Sequence, residues 1–97
     1  MIDYYLRTTT LAKMQASLIA AGIAAKNKDG DVIGQWDNGR IDIAWIGKIY
    51  KIVGQESVVI DERYHANLRV SGGELTQDQL DELPIIPAPT TPMRVFA

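Results

Sequence analysis

Tyr64, Ala66, Leu68 and Val70 alternate without exception with His65, Asn67 and Arg69. A period of two residues is the spacing of a β-strand, whose successive side chains point to opposite faces, and a helix could not gather this apolar set on one side. The run commits the chain to a sheet with one face on a core and the other toward solvent or a partner. Ser71, Gly72 and Gly73 then end the strand with turn chemistry.

Upstream, residues 2–7 are rich in β-branched and aromatic side chains and run into Thr8, Thr9 and Thr10, which suit strand ends and helix N-caps. A first strand is expected there. Leu11, Met14, Leu18 and Ala21 recur at helical spacing, flanked by Ile19 and Ile23, with Lys13, Gln15 and Ser17 opposite, which predicts the main helix. Gly22 fits the left-handed position that closes such a helix, with Ile23 folding back onto it. Residues 26–30 concentrate Asn, Asp, Lys and Gly and read as a surface loop.

A short apolar run at 32–36 meets Asp37, Asn38 and Gly39, and Asn-Gly between apolar runs predicts a hairpin whose partner strand begins at Arg40. Ile41, Ile43 and Trp45 alternate with Asp42 and Ala44, but the phase changes at Gly47 to Tyr50 and Ile52. A bulge or bend is expected at that glycine, turning the second half of the strand to a new partner. Apolar groups on both faces predict that this strand is central. Gly54 and Gln55 mark a turn, Val58, Val59 and Ile60 a further strand, and Asp61, Glu62 and Arg63 a charged corner before the strand at 64–70. Thr76 with Gln79 three residues on forms a capping box, and Leu75 and Leu80 occupy hydrophobic-staple positions. They predict a second helix, cut short by Pro84.

All four prolines fall within residues 84–92, a stretch that must be extended and cannot enter a sheet as an interior strand. Residues 93–97 are apolar enough to pair with a sheet edge. The expected fold is α+β: a mostly antiparallel sheet of about five strands with one main helix packed on it, a short second helix and a proline-rich C-terminal arm. The domain is expected to span residues 1–83 and the arm residues 84–97.

At 97 residues the chain has room for one hydrophobic core. Its net charge of -2 supplies no broad positive field, so neither nucleic acid nor an anionic membrane surface is an expected partner. No cysteine is present, which removes disulfides, thiolate nucleophiles and Cys-based metal sites and makes the reducing cytosol the simplest compartment. The longest apolar run, residues 18–25, falls short of the roughly 20 residues a spanning helix needs, and the opening residues lack the pattern of a signal peptide.

The most suggestive polar set is His65, Asn67 and Arg69, three heads in a row on one strand face. An anion or metal pocket is one reading, but a solvated strand face is the expectation, since a lone His supplies one metal ligand at most. Asn27, Asp29 and Asp31 have the spacing of the first ligands of an EF-hand loop, yet Val32 stands where its glycine is needed and Asn38 where its glutamate should be. Asp61 and Glu62 are neighbours on a strand and point apart, while Asp78, Asp81 and Glu82 read as solubilising. Gly72-Gly73 has no phosphate-loop continuation, and Ser17, Ser57 and Ser71 lie outside any nucleophile-elbow motif. Trp36, Trp45, Tyr50 and Tyr64 are expected in the core. The three-residue spacing of Pro84/Pro87 and Pro89/Pro92 is that of ligands for proline-recognition domains, although a structural or assembly arm is preferred.

The words Tyr64-His65-Ala66-Asn67-Leu68-Arg69, a proline-rich stretch, and Thr91-Pro92-Met93-Arg94-Val95-Phe96-Ala97 resemble a group of short proteins of tailed bacteriophages and prophages. Tyr4-Tyr5-Leu6-Arg7, with a helix containing Met14 and closing on Ala20-Ala21-Gly22-Ile23, is similar to the same group. The resemblance implies a product of the phage structural-gene region, an accessory of tail or virion assembly working in the bacterial cytoplasm. It carries no activity and assigns no residue, and residues 26–63 do not follow the group.

The expectation is therefore a non-enzymatic interaction protein with a protein partner or a second copy of itself, no cofactor, and no catalytic or metal-binding residue. Its candidate interaction residues are His65, Asn67, Arg69, Pro87, Pro89, Pro92, Arg94 and Phe96. The alternative is a small ligand-binding protein or enzyme using the His65/Asn67/Arg69 face.

Overall fold

The computed structural model describes residues 1–87. In chain order the elements are β1 (Ile2–Thr8), α1 (Leu11–Ala20), β2 (Ala24–Lys26), β3 (Val32–Gly34), β4 (Arg40–Val53), β5 (Glu56–Ser71), α2 (Gln77–Asp81) and β6 (Ile85–Ile86). They form an α+β fold with a four-stranded sheet in the order β4-β5-β1-β6 and a two-stranded sheet of β2 and β3, and each strand pairing is antiparallel.

The first helix follows its sequence signals closely. Thr10 is its N-cap, the hydroxyl accepting the Lys13 N–H at 3.2 Å. At its end the Gly22 N–H donates to the Ile19 carbonyl and the Ile23 N–H to that of Leu18, the paired bonds of a Schellman motif. Gly22 takes the positive φ of 76° that this motif needs. Met14 and Leu18 are buried and pack with Leu6, Ala66, Leu68 and Val70 of the sheet. The capping box of Thr76 and Gln79 is formed at α2, and Leu75 is buried in the same core.

Four expectations are corrected. Residues 32–34 do not pair with β4 as a hairpin; they pair with Ala24–Lys26 in a small sheet of their own. The cause is Asn27, whose side-chain oxygen accepts the N–H groups of Asp29 and Asp31 while its own N–H donates to Asp31, closing a tight turn between β2 and β3. The strand at 40–53 is not central but at the sheet's edge, and past Gly47 it keeps β5 as its partner. Residues 56–71 are one continuous strand rather than two separated by a charged corner, since Arg63 folds back on Asp61 and neutralises it without a break. The bulge anticipated at Gly47 is present: the register with β5 slips there, and the glycine takes a φ of 80°.

Of the sequence expected to form an arm, Ile85 and Ile86 pair with Leu6 and Tyr5 at the outer edge of β1. This is the position that a strand flanked by Pro84 and Pro87 can take, because among the described residues no further strand calls on the N–H groups those prolines lack. The remainder of the expected arm, residues 88–97, lies outside the described residues.

Candidate functional site

Strand register sorts the side chains of the large sheet onto two faces, because directly opposed residues point the same way. Tyr4, Leu6, Ala66, Leu68, Ile41 and Ile43 share the face that α1 covers. Asp3, Tyr5, Arg7, His65, Asn67, Arg69 and Asp42 share the other. The sheet thus brings the predicted trio His65, Asn67 and Arg69 together on one face, but it does not leave them solvated. His65 is 1% exposed and Asn67 is 0% exposed, which corrects the solvated-face expectation for both.

The polar heads of this face are engaged. The His65 Nδ1–H donates to the Gly47 carbonyl at 2.9 Å, an assignment that follows because a carbonyl oxygen only accepts. The bulge at Gly47 therefore aims that carbonyl at the ring. The other ring nitrogen lies 3.4 Å from Oδ2 of Asp61. Arg69 grips Asp3 through two bonds of 2.7 and 2.9 Å, a bidentate pair linking β5 to β1. Asp61 accepts both the side chain and the backbone N–H of Arg63, and chiefly that side-chain bond holds its carboxyl well below the ordinary value of 3.8. Beside these groups Arg7, Ile49, Ile60, Asp61, His65 and Ile86 line an open groove of about 380 Å³, with Pro87 at its rim. Among the described residues no group of three or more His, Cys, Asp or Glu side chains is placed to hold a metal ion. Pro89, Pro92, Arg94 and Phe96 lie outside the described residues.

The second feature is one that sequence reading did not single out. Strand β1 ends its pairing with β5 at Thr8 and Tyr64. Beyond that point β4 and β5 continue through the turn at Gly54 as a ribbon that is two-stranded among the described residues. Register places Tyr50, Ile52 and Val59 on one side of the ribbon and Val53 and Val58 on the other. All are exposed, as is Ile60 at a bulge of β5; Ile52 reaches 75% exposure and Ile60 reaches 60%. Tyr50 and Trp45, expected in the core, are 53% and 38% exposed, whereas Trp36 and Tyr64 do pack against the core in part. The charges of Lys48, Lys51, Glu56, Glu62 and Arg63 are spaced along the ribbon. Such charges keep an exposed strand edge from pairing indiscriminately.

A signal for this surface was present. Between Lys48 and Arg63 the sequence has β-branched residues on both phases of the alternation, which in a buried strand implies cover on both sides. Among the described residues the apolar side chains of that segment are nonetheless exposed on both sides. No family model matches the chain, and neither a curated protein nor a solved structure matches it.

Proposed function

We propose that this protein is a non-enzymatic interaction module that offers the ribbon of residues 48–62 to a protein partner. The observation that carries the reading is apolar exposure on both sides of a two-stranded element. A hairpin of that kind is marginal on its own in water, and a contiguous exposed apolar surface of this sort marks a contact site. Burying the five aliphatic side chains Ile52, Val53, Val58, Val59 and Ile60 would supply several kcal/mol, about 1.5–3 for each side chain fully covered. The partner's chemistry follows: two apolar surfaces that close on the ribbon from either side, or a strand added to one of its edges.

For the setting, the resemblance at Tyr64–Arg69 and residues 91–97 to short proteins of tailed phages and prophages supports an accessory of tail or virion assembly in the bacterial cytoplasm. A ligand-binding or catalytic use of the His65 face is less favoured, because His65 and Arg69 are each committed to a structural partner. A photo-crosslinking side chain at Ile52, introduced in cells producing the phage or prophage particle, tests the proposal. Capture of a structural protein of the particle is expected. Failure of the ribbon position to capture any such component, while the protein is present and folded, would count against both the surface and the setting.

A further inference from the structure

On the helix-covered side of the large sheet, a cleft gathers two aromatic rings and one carboxylate. Trp45 stands opposite Ala66, and Tyr64 lies two residues along β5 from it, so both point to the face that α1 covers and are diagonal neighbours there. The facing wall is the start of α1, where Leu11 and Gln15 are one turn apart on the same side of the helix. Asp31 and Ile33, which flank the start of β3, close the cleft, and the space between these elements is about 410 Å³. Trp45, Leu11 and Ile33 remain exposed. Gly47 sets no side chain against the Tyr64 ring, where a Cβ would stand 3.7 Å from the ring edge.

Among the described residues Asp31 is the one charged residue lining this cleft, and its carboxylate forms no ion pair there. Its backbone is held on both sides: the Asp31 N–H donates to the Asn27 side chain at 3.0 Å, and the Asp31 carbonyl accepts the Asn27 N–H at 2.8 Å. These bonds fix where the side chain leaves the turn. Aromatic faces and a carboxylate attract the same kind of group, a cation with an apolar surface. We propose that the cleft binds the guanidinium of an arginine side chain presented by a protein partner. The flat, weakly hydrated guanidinium stacks on an aromatic ring in a way that an ammonium does not. Its N–H groups meet the Asp31 carboxylate and the Gln15 amide oxygen, acceptors that a quaternary ammonium would leave unused. Leu11 and Ile33 then cover the methylene stem. The site does not depend on the ribbon, since none of residues 48–62 lines it.

Binding is read by NMR on the full-length protein with N-acetyl-arginine methylamide as the probe, against its citrulline counterpart, which has the same shape without the charge, and against choline. The arginine probe is expected to shift the Trp45 indole N–H and the Gln15 side-chain amide saturably, in the roughly millimolar range. The citrulline probe should bind about tenfold more weakly or worse. Asp31→Asn, at an exposed position, should weaken the arginine probe by about tenfold, and Trp45→Leu, which keeps the wall apolar, by about threefold. Ile52→Lys on the ribbon should leave the probe's affinity unchanged, so that this site and the ribbon stand or fall separately. Equal binding of the citrulline probe, tighter binding of choline, or no saturable shift with the arginine probe would overturn the inference.

Discussion

The two halves of β5 are made of similar residues and live in different worlds. From Tyr64 onward the strand is flanked by β1 and β4, lies under α1, and buries Ala66, Leu68 and Val70 completely. From Glu56 to Arg63 its only strand partner among the described residues is β4, and Val58, Val59 and Ile60 are exposed. Alternating or continuous apolar sequence in a strand thus specifies that something must cover it, not that the same chain does. What separates the halves is the length of β1: its seven residues stop at Thr8, and the cooperative core stops with them.

The sharpest contrast comes from removing side chains on either side of that boundary. Leu68→Ala, in the fully buried half, is expected to cost about 2–5 kcal/mol in a denaturant titration through lost transfer energy and the cavity left behind. At the boundary, His65→Ala leaves the Gly47 carbonyl without its ring donor and should cost about 1–3 kcal/mol by the same assay. Gly47→Ala should cost about 1–2 kcal/mol by conformational strain alone, since φ is positive there and the nearest atom to an added Cβ is on the Tyr64 ring at 3.7 Å. A smaller effect is expected from Asp61. Above its ordinary value of 3.8 the carboxylate is ionised in both folded and unfolded chains and its full contribution is present. As the pH falls through that value the unfolded chain takes up a proton that the folded chain resists, and the contribution is lost. Asp61→Asn should accordingly flatten the acid limb of a stability-against-pH curve. Smallest of all, Ile52→Lys on the ribbon should change stability by no more than about 0.5 kcal/mol.

Local signals were legible in the sequence wherever a few neighbouring residues decide the structure. Thr10, Gly22, and the pair Thr76 and Gln79 each satisfy a helix terminus through groups within five residues, so residue type and spacing suffice to place them. The alternation at 64–70 correctly gave the core-facing set. Order within the sheet was not legible, because it depends on which distant strand reaches which edge: apolar residues on both faces of β4 looked central, yet they belong to its exposed half. The small β2–β3 sheet was hidden for a different reason. Asn27 and the Asn38-Gly39 pair are both good turn formers, and which of them closes the hairpin depends on pairing with Ala24–Lys26, residues that carry no strand signal of their own. At the candidate site, residue spacing gathered His65, Asn67 and Arg69 correctly, but their burial depends on cover that spacing does not encode.

Native-state hydrogen exchange, run at a concentration where the protein is monomeric, tests the division of β5 most directly. Amides of residues 65–70 should exchange only through global unfolding, and those of residues 51–59 through local opening at a much lower free energy. Equal protection along the whole strand would mean that the ribbon belongs to the folding core, and its apolar side chains would no longer need a partner to account for them.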